Sequence, residues 1–416
     1  ALSRSSFIGP MLGSRDGAGK RMMAALRRGG WPRKNPDSVR STYRATVVAT
    51  MKRFLKWFGA IGLLAVVYLL FWPVPIEPVA WQAPSSTGYT GPFTRNDRLA
   101  VARTIPVAPE VGPEHIEFGP DGKLYTGVLS GDVLRMNPDG TGIETVVNTG
   151  GRTLGLAFDA DGKLILADAM KGLLSVGADG SVTVLADRVG SDPILYADAV
   201  VVAKDGRMFF TDASRRFSPL ELGTFDAALL DIMEHSCTGR VLEYRPATRE
   251  VRVVIAGLCF PNGVALSGDE AHVFIAETGE YRVWKVDVNA DGVDARAAAR
   301  DPEHPQARVI LSNLPGFPDN LTRSADGRLW TGFTKPRSKV IDDLAGKPLL
   351  RAMSLRLPRS MWPVPPAYGH VIAFDEDGRV VADLQDPAGR IPEPRGVTQH
   401  HGNLYRQSLH RAAAGG

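Results

Sequence analysis

Six segments of this chain repeat one pattern, an apolar run, a tight turn and a second apolar run, and that repetition limits the fold more than any single residue does. The copies are "GPEHIEFGPDGKLYTG" from Gly112, "GRTLGLAFDADGKLILAD" from Gly151, "YADAVVVAKDGRMFFTD" from Tyr196, "FPNGVALSGDEAHVFIAET" from Phe260, "FPDNLTRSADGRLWTG" from Phe317 and a more degraded "EPRGVTQHHGNLYRQS" from Glu393. Each reads as strand, turn, strand, because Asp-Gly between short apolar runs is the strongest local hairpin signal. The turn aspartates Asp121, Asp161, Asp205, Asp269 and Asp326 are irregularly spaced, but each interval has room for about four strands. The repeats therefore predict an all-β, six-bladed β-propeller over residues 101–410. Long amphipathic helical patterns are scarce there, so one closed unit accounts for most of the 416 residues.

Charge divides the chain in two. Residues 1–56 hold 13 Lys or Arg against 2 Asp, whereas the remainder holds 36 basic and 43 acidic residues. The basic excess thus lies outside the predicted propeller, which argues against nucleic acid as a partner. From Phe54 runs "FLKWFGAIGLLAVVYLLFW", bounded by "MKR" and by "PVPIEP". With flanking aromatics and a snorkelling Lys56 it approaches the roughly 20 residues that a bilayer requires. Residues 51–76 are read as a signal anchor, residues 1–50 as a disordered basic tail and 77–100 as a linker. Met51 opens a short basic region of the kind that begins such anchors, and the native start is expected there. A cleaved signal peptide is the rival reading, but no small-x-small site follows Trp72. The positive flank keeps the N-terminus cytoplasmic and places the propeller outside, in the periplasm if the cell is bacterial.

The two cysteines, Cys237 and Cys259, are equidistant from Thr248, the centre of a predicted hairpin. They should face each other, and an exported domain would oxidise them; two unpaired buried thiols are the alternative.

The chemistry lies in the repeat register. Seven residues before each turn aspartate stand Glu114, Leu154, Asp198, Asn262 and Asp319, and the sixth copy gives Pro394 with Arg395 beside it. Any one of these polar residues alone reads as a turn or strand-entry group. Equivalent positions of a propeller surround its axis, however, so Glu114, Asp198, Asn262 and Asp319 should converge. Three carboxylates and an amide, without His or Cys, form the hard oxygen set that suits Ca2+ or another such divalent cation. Asn320 is a further candidate for substrate contact, whereas His115 should point away from Glu114 along its strand. Residues 334–369 and Phe217 to Met233 read as apolar covers over the site.

At these residues the chain resembles the superfamily of calcium-dependent six-bladed propellers that includes strictosidine synthase, the adipocyte plasma membrane-associated proteins, gluconolactonase with senescence marker protein, and the paraoxonases. The resemblance runs from about Val101 to Leu409 and rests on "GPEHI", "GRVLEY", "FPNGVALS", "AET" and "LPGFPDNL", nearest the strictosidine synthase-like and adipocyte membrane-associated branch. It implies that Glu114, Asn262 and Asp319 are metal ligands, with Asp198 where relatives often have Asn. It further implies a calcium-dependent hydrolase of esters or lactones, an arylesterase or lactonase, with Asp319 or Asp198 as the group that activates water and Asn262 and Asn320 orienting the substrate. The alternative from another class is a non-catalytic calcium-binding propeller for a small apolar ligand or a protein partner. Amine-aldehyde condensation of the strictosidine synthase kind is disfavoured, since the one late glutamate, Glu393, stands in the unmatched context "IPEPRG".

The topology has a direct check. Non-reducing peptide mapping of protein taken from its native compartment should find the Cys237 and Cys259 peptides linked. Free thiols there would count against both the bond and the extracytoplasmic location.

Overall fold

The computed structural model describes residues 35–102, 104–362, 364–391, 393–408 and 413–415. They form two units, divided between Phe71 and Trp72.

The described part of the first unit is the helix Pro36–Phe71. Pro36 takes its first position, where the missing N–H is no loss, and Pro73 cannot continue it. Arg40, Arg44, Lys52, Arg53 and Lys56 fall in its first two-thirds, and from Trp57 to Phe71 it is apolar on every side. The helix is long and apolar enough to cross a membrane. It corrects one predicted boundary: residues 36–50, read as disordered tail, are helical because no Gly or Pro interrupts them, while the helix stops at Phe71, just ahead of "PVPIEP". Residues 1–34 of that tail lie outside the described residues.

The second unit is an all-β propeller. Five four-stranded antiparallel blades succeed one another along the chain, the third with a short parallel strand, Val293–Asp294, added at its edge, and each begins with its innermost strand: Ile116–Phe118, Thr153–Phe158, Ala197–Val202, Pro261–Leu266 and Gly316–Arg323. In these turns the aspartate serves as a local cap. Asp121, Asp205, Asp269 and Asp326 each accept the N–H two residues on, and Asp159 does this work in the second blade instead of Asp161. Against the six blades that the repeats predict, five stand complete in chain order. The sixth repeat supplies a hairpin, Pro394–His400 with Asn403–Ser408, and the sheet is extended by Ala413–Gly415 and Thr104–Pro106 from the two ends of the propeller segment.

Neighbouring blades are sewn together near the axis by threonine hydroxyls. Thr211 donates to the Asn262 carbonyl at 2.8 Å, Thr278 to Pro318 at 2.7 Å, Thr322 to Val397, and Thr398 to Ile116 at 2.6 Å, which joins the last sheet to the first. Between first and second blades His115 does the same, its Nδ1 accepting the Leu156 N–H at 3.0 Å. Burial holds the His115 imidazole down to about 4, so it is a neutral structural group, as its alternation away from Glu114 predicts.

Two insertions rise from the blades. The helices Pro219–Leu222 and Thr224–Glu234 fall between the second and third strands of the third blade, and Lys339–Leu344 and Pro348–Leu355 between those of the fifth. The segment read as a linker is no free tether but a strap across both. Ile76 packs with Met233 and Leu230, Trp81 stacks on His235 at 4.0 Å, and the Val79 and Trp81 amides bond to Glu234 and Ala345. Its apolar residues bury surface against the covers, and that contact overrides its proline-rich, linker-like composition.

One buried acid in a cover helix makes the fold pH-sensitive. Burial pushes the Asp231 carboxyl up to about 7, Glu234 and Asp212 adding to the rise while the bond from Ser214 Oγ (2.6 Å) opposes it. The folded chain therefore holds this proton more tightly than the unfolded chain. The stabilisation is complete below about pH 4 and is lost as pH rises toward 7. Asp231→Asn, neutral throughout, should raise stability in urea at pH 8 by roughly 1–3 kcal/mol and change it little at pH 4.

Candidate functional site

The innermost strands deliver their side chains to the axis through breaks in the ladder. Pairing register shifts between Thr153 and Gly155, Ala197 and Val200, Pro261 and Val264, Pro318 and Leu321, and Pro394 and Val397. Leu154, Asp198, Asn262, Asp319 and Arg395 sit inside these five irregularities, and a bulge of this kind re-aims the residue it contains. The local sequence explains them. Pro261, Pro318 and Pro394 have no N–H for the ladder, and short Asp and Asn side chains compete for backbone groups. Glu114 stands ahead of the first blade's inner strand, its N–H bonded to the Gly127 carbonyl at 3.4 Å.

The strands also approach one another too closely for side chains. A Cβ on Gly263 would lie 2.1 Å from the Leu321 nitrogen and 2.6 Å from the Asp319 oxygen; one on Gly155 would lie 2.7 Å from the Asp198 oxygen. These glycines let the backbones that carry the site residues meet.

Glu114, Asp198, Asn262, Leu154 and Arg395 line the polar end of one pocket. Asp319 joins them, because Arg395 Nη1 lies 2.8 Å from its Oδ2 and 3.6 Å from Glu114 Oε1. Arg152, also buried, brings Nη2 within 3.8 Å of Glu114 Oε2 while donating to the Gly112 carbonyl at 2.6 Å. Glu114, Asp198, Asn262 and Asp319 are at most 3 % exposed. Each keeps one buried oxygen without a hydrogen-bond donor: Glu114 Oε2, Asp198 Oδ1, Asn262 Oδ1 and Asp319 Oδ1. Leaving such an atom unpaired costs about 1–3 kcal/mol. Burial also pushes Asp319 up to about 7, with Glu114 adding to the rise and Arg395 and Asn262 opposing it. Asp198 is raised well above the ordinary carboxylate range by burial, and by Asp319 and Glu114 beside it.

These residues fit a hard divalent cation. Four orphaned oxygens come from four blades, and three of the four side chains are carboxylates. Glu114, Asp198, Asn262 and Asp319 are the side chains that would hold it.

Most of the remaining lining is apolar, with Thr224, Thr278, Thr334, Lys335 and Glu393 as its further polar members. Phe225, Leu229 and Met233 face the pocket from one cover, Ile341, Leu355 and Trp362 from the other, and Phe260 and Phe317 from the blades. Asn320 is corrected: expected to contact substrate, it is 2 % exposed, lies outside the pocket lining, and its Nδ2 donates to the Glu114 carbonyl at 3.2 Å. Its neighbour Asp319 points to the axis, and Asn320 cross-links the backbone instead. In the sixth repeat Arg395, beside Pro394, reaches the site: it holds the place in its bulge that Asn262 holds after Pro261 and Asp319 after Pro318, and its hairpin turns one residue sooner. Glu393 also lines the pocket, ion-paired with Lys335, although its sequence context had argued against it. Arg152 was invisible to the register because it precedes its strand. Also missed were the acids that end second strands: Asp168 accepts the Arg152 N–H, Asp212 the Tyr196 N–H and Glu277 the Cys259 N–H, tying each blade's entrance loop to its sheet. The recurring "LILAD", "FFTD" and "FIAE" carried that signal. Cys237 and Cys259 are bonded to each other just beyond the hairpin's last ladder pair, Gly239 with Leu258.

Fold and site together define a propeller with a buried, oxygen-lined axial site beneath apolar covers. The chain belongs to the strictosidine synthase-like family. Residues 198–291 match the family model described as strictosidine synthase, and residues 91–136 the one described as strictosidine synthase-like, N-terminal. It is 32 % identical to strictosidine synthase-like protein 13 of Arabidopsis thaliana, over 67 % of this chain and 73 % of that protein. It is 30 % identical to the adipocyte plasma membrane-associated protein of Homo sapiens, over 84 % of this chain and 85 % of that one. Among solved structures the fold is similar to a gluconolactonase of Xanthomonas campestris (TM-score 0.52, 19 % identity, 81 % of this chain and 97 % of that). It is likewise similar to a luciferin-regenerating enzyme (TM-score 0.50, 14 % identity, 76 % of this chain and 94 % of that).

The close approach at Gly263 gives a test of how the site is held. Gly263→Ala should destabilise the fold by about 1–3 kcal/mol, as overpacking does. It should also weaken cation binding more than Gly180→Ala does, since Gly180 stands in an open turn with no atom near its missing Cβ. Urea unfolding and calorimetric titration with calcium would measure the two effects.

Proposed function

We propose that this protein is a membrane-anchored, calcium-dependent hydrolase of esters or lactones that bear a bulky apolar group. The observation that carries the reading is the cluster of four orphaned oxygens, three of them on residues that line a largely apolar pocket and the fourth on Asp319 beside Arg395. Calcium held there would polarise the scissile carbonyl and stabilise the oxyanion that develops on it. The chain's own groups do the rest. Water adds to the acyl carbon, the acyl C–O bond breaks, and the products are a carboxylic acid and an alcohol or phenol. Asp198 or Asp319 would take the proton from that water. Asn262 braces Asp319 and orients the substrate oxygen. The covers hold the apolar part of the substrate and keep bulk water out. In the same reading the hairpin 394–408 with its two added strands completes a sixth blade, the helix Pro36–Phe71 is the membrane anchor, and the propeller is extracytoplasmic.

One observation favours a second reading. Arg395 and Arg152 already place positive charge against Asp319 and Glu114, as a propeller that binds a small apolar ligand without turnover would need. The two are separated by assaying the purified protein on aryl esters and lactones, with calcium and with chelator. Calcium-dependent turnover is expected, abolished by Asn262→Ala and by Asp319→Ala, with Asp319→Ala weakening calcium binding more because it removes a charge as well as a ligand. Leu154→Ala should chiefly lower stability, by about 2–4 kcal/mol. Folded, calcium-loaded protein that is inert across varied esters and lactones would give the binding reading precedence.

A further inference from the structure

Away from the axis, four potential ligands of a different chemistry meet behind the cover helix Thr224–Glu234. His235 caps that helix with φ of 57°, Cys237 follows with φ of 54°, Cys259 joins the third blade to the fourth, and Glu280 stands in a turn of the fourth. One ligand atom from each lies within 4.8 Å of every other. His235 Nε2 is 3.0 Å from Glu280 Oε1 and 3.6 Å from Cys259 Sγ, and Cys259 Sγ is 3.8 Å from Glu280 Oε1. The same imidazole nitrogen faces both the sulfur and the carboxylate, so the group is not a relay, which would use both ring nitrogens. It is a convergence on one point. Zinc bonded to N, O and S at about 2.0–2.3 Å in a tetrahedron sets its ligands about 3.4–3.8 Å apart, close to the separations found here.

We propose that His235, Cys237, Cys259 and Glu280 form a zinc site that exists when the Cys237–Cys259 bond is reduced, so that disulfide and metal are alternative states of one cluster. A dithiol supplies two electrons, its own sulfurs closing to a disulfide while Cys237 and Cys259 become thiols. Zinc then displaces both thiol protons and takes two thiolates, the neutral His235 Nε2 and the Glu280 carboxylate. The resulting single negative charge faces Arg282 and Arg296, whose charges reach Glu280. Sulfur and nitrogen donors select zinc, whereas the all-oxygen axial site selects calcium, so the two sites are chemically separate. The second shell is in place: Trp81 stacks on the His235 ring, and Arg296 Nη2 donates to the Ser236 carbonyl at 2.5 Å between the two ligands. Because His235 ends a helix that covers the pocket, the cluster ties that cover to the fourth blade in either state.

The test uses the full-length protein in detergent, treated or not with dithiothreitol, freed of it and offered zinc chloride or cobalt chloride. Reduced protein should take up about one zinc more per chain than unreduced protein. Both thiols should then resist alkylation by iodoacetamide, and cobalt should give a thiolate-to-metal absorption band. Glu280→Gln and His235→Ala should each weaken that uptake on the order of tenfold or more, and Cys259→Ser should abolish the band. If Cys259→Ser fails to fold, wild-type alkylation decides alone. Thiols that react equally fast with and without zinc, or uptake that reduction leaves unchanged, would overturn the proposal; the second result assigns the metal to the axial oxygens.

Discussion

Three carboxylates are buried within reach of one another at the centre of this propeller, and much of the surrounding architecture exists to permit that. Glu114, Asp198 and Asp319 would repel strongly in so dry a place. Arg395 and Arg152 offset part of the repulsion, raised proton affinity at Asp198 and Asp319 offsets more, and the unpaired oxygens leave a demand that a cation would satisfy. The mechanical support is equally specific. Bulges aim the side chains, Gly155 and Gly263 let backbones touch, and hydroxyls of Thr211, Thr278, Thr322 and Thr398 join four pairs of neighbouring blades. A change at any of these positions reaches the charges without touching them.

The covers give the polar centre its apolar mouth. Both rise between second and third strands of their blades, where a long excursion disturbs no inner strand. They are not independent flaps. Arg351, almost wholly buried, donates to the Val79 carbonyl, Arg337 reaches the Pro84 carbonyl, and Val79 bonds back to Glu234, so the strap 72–102 holds both insertions. The disulfide and the His235–Glu280 pair secure the far end of one cover helix. Access to the pocket therefore depends on elements remote from the axis in sequence.

The propeller, the axial residues and the covers were legible in the sequence because each repeats or contrasts locally. Asp-Gly turns mark hairpins through backbone geometry, and a fixed offset from those turns marks the axis because every blade enters alike. Glu114, Asp198, Asn262 and Asp319 follow from that offset alone. The apolar stretch before Pro73 is legible for the same kind of reason, since length and hydropathy are local properties. Tertiary structure decided the remainder. Whether Asn320 or Asp319 faces the axis depends on a bulge, and a shift of one residue reverses a side chain's direction; which of Pro394 and Arg395 reaches the site depends likewise on the length of the sixth hairpin. The strap packs rather than dangles because Ile76 and Trp81 meet apolar surface contributed by insertions more than a hundred residues away. His235 and Glu280 meet the cysteines only through the joining of two blades. Periodicity records what each blade does for itself, and only packing records what the blades do to one another.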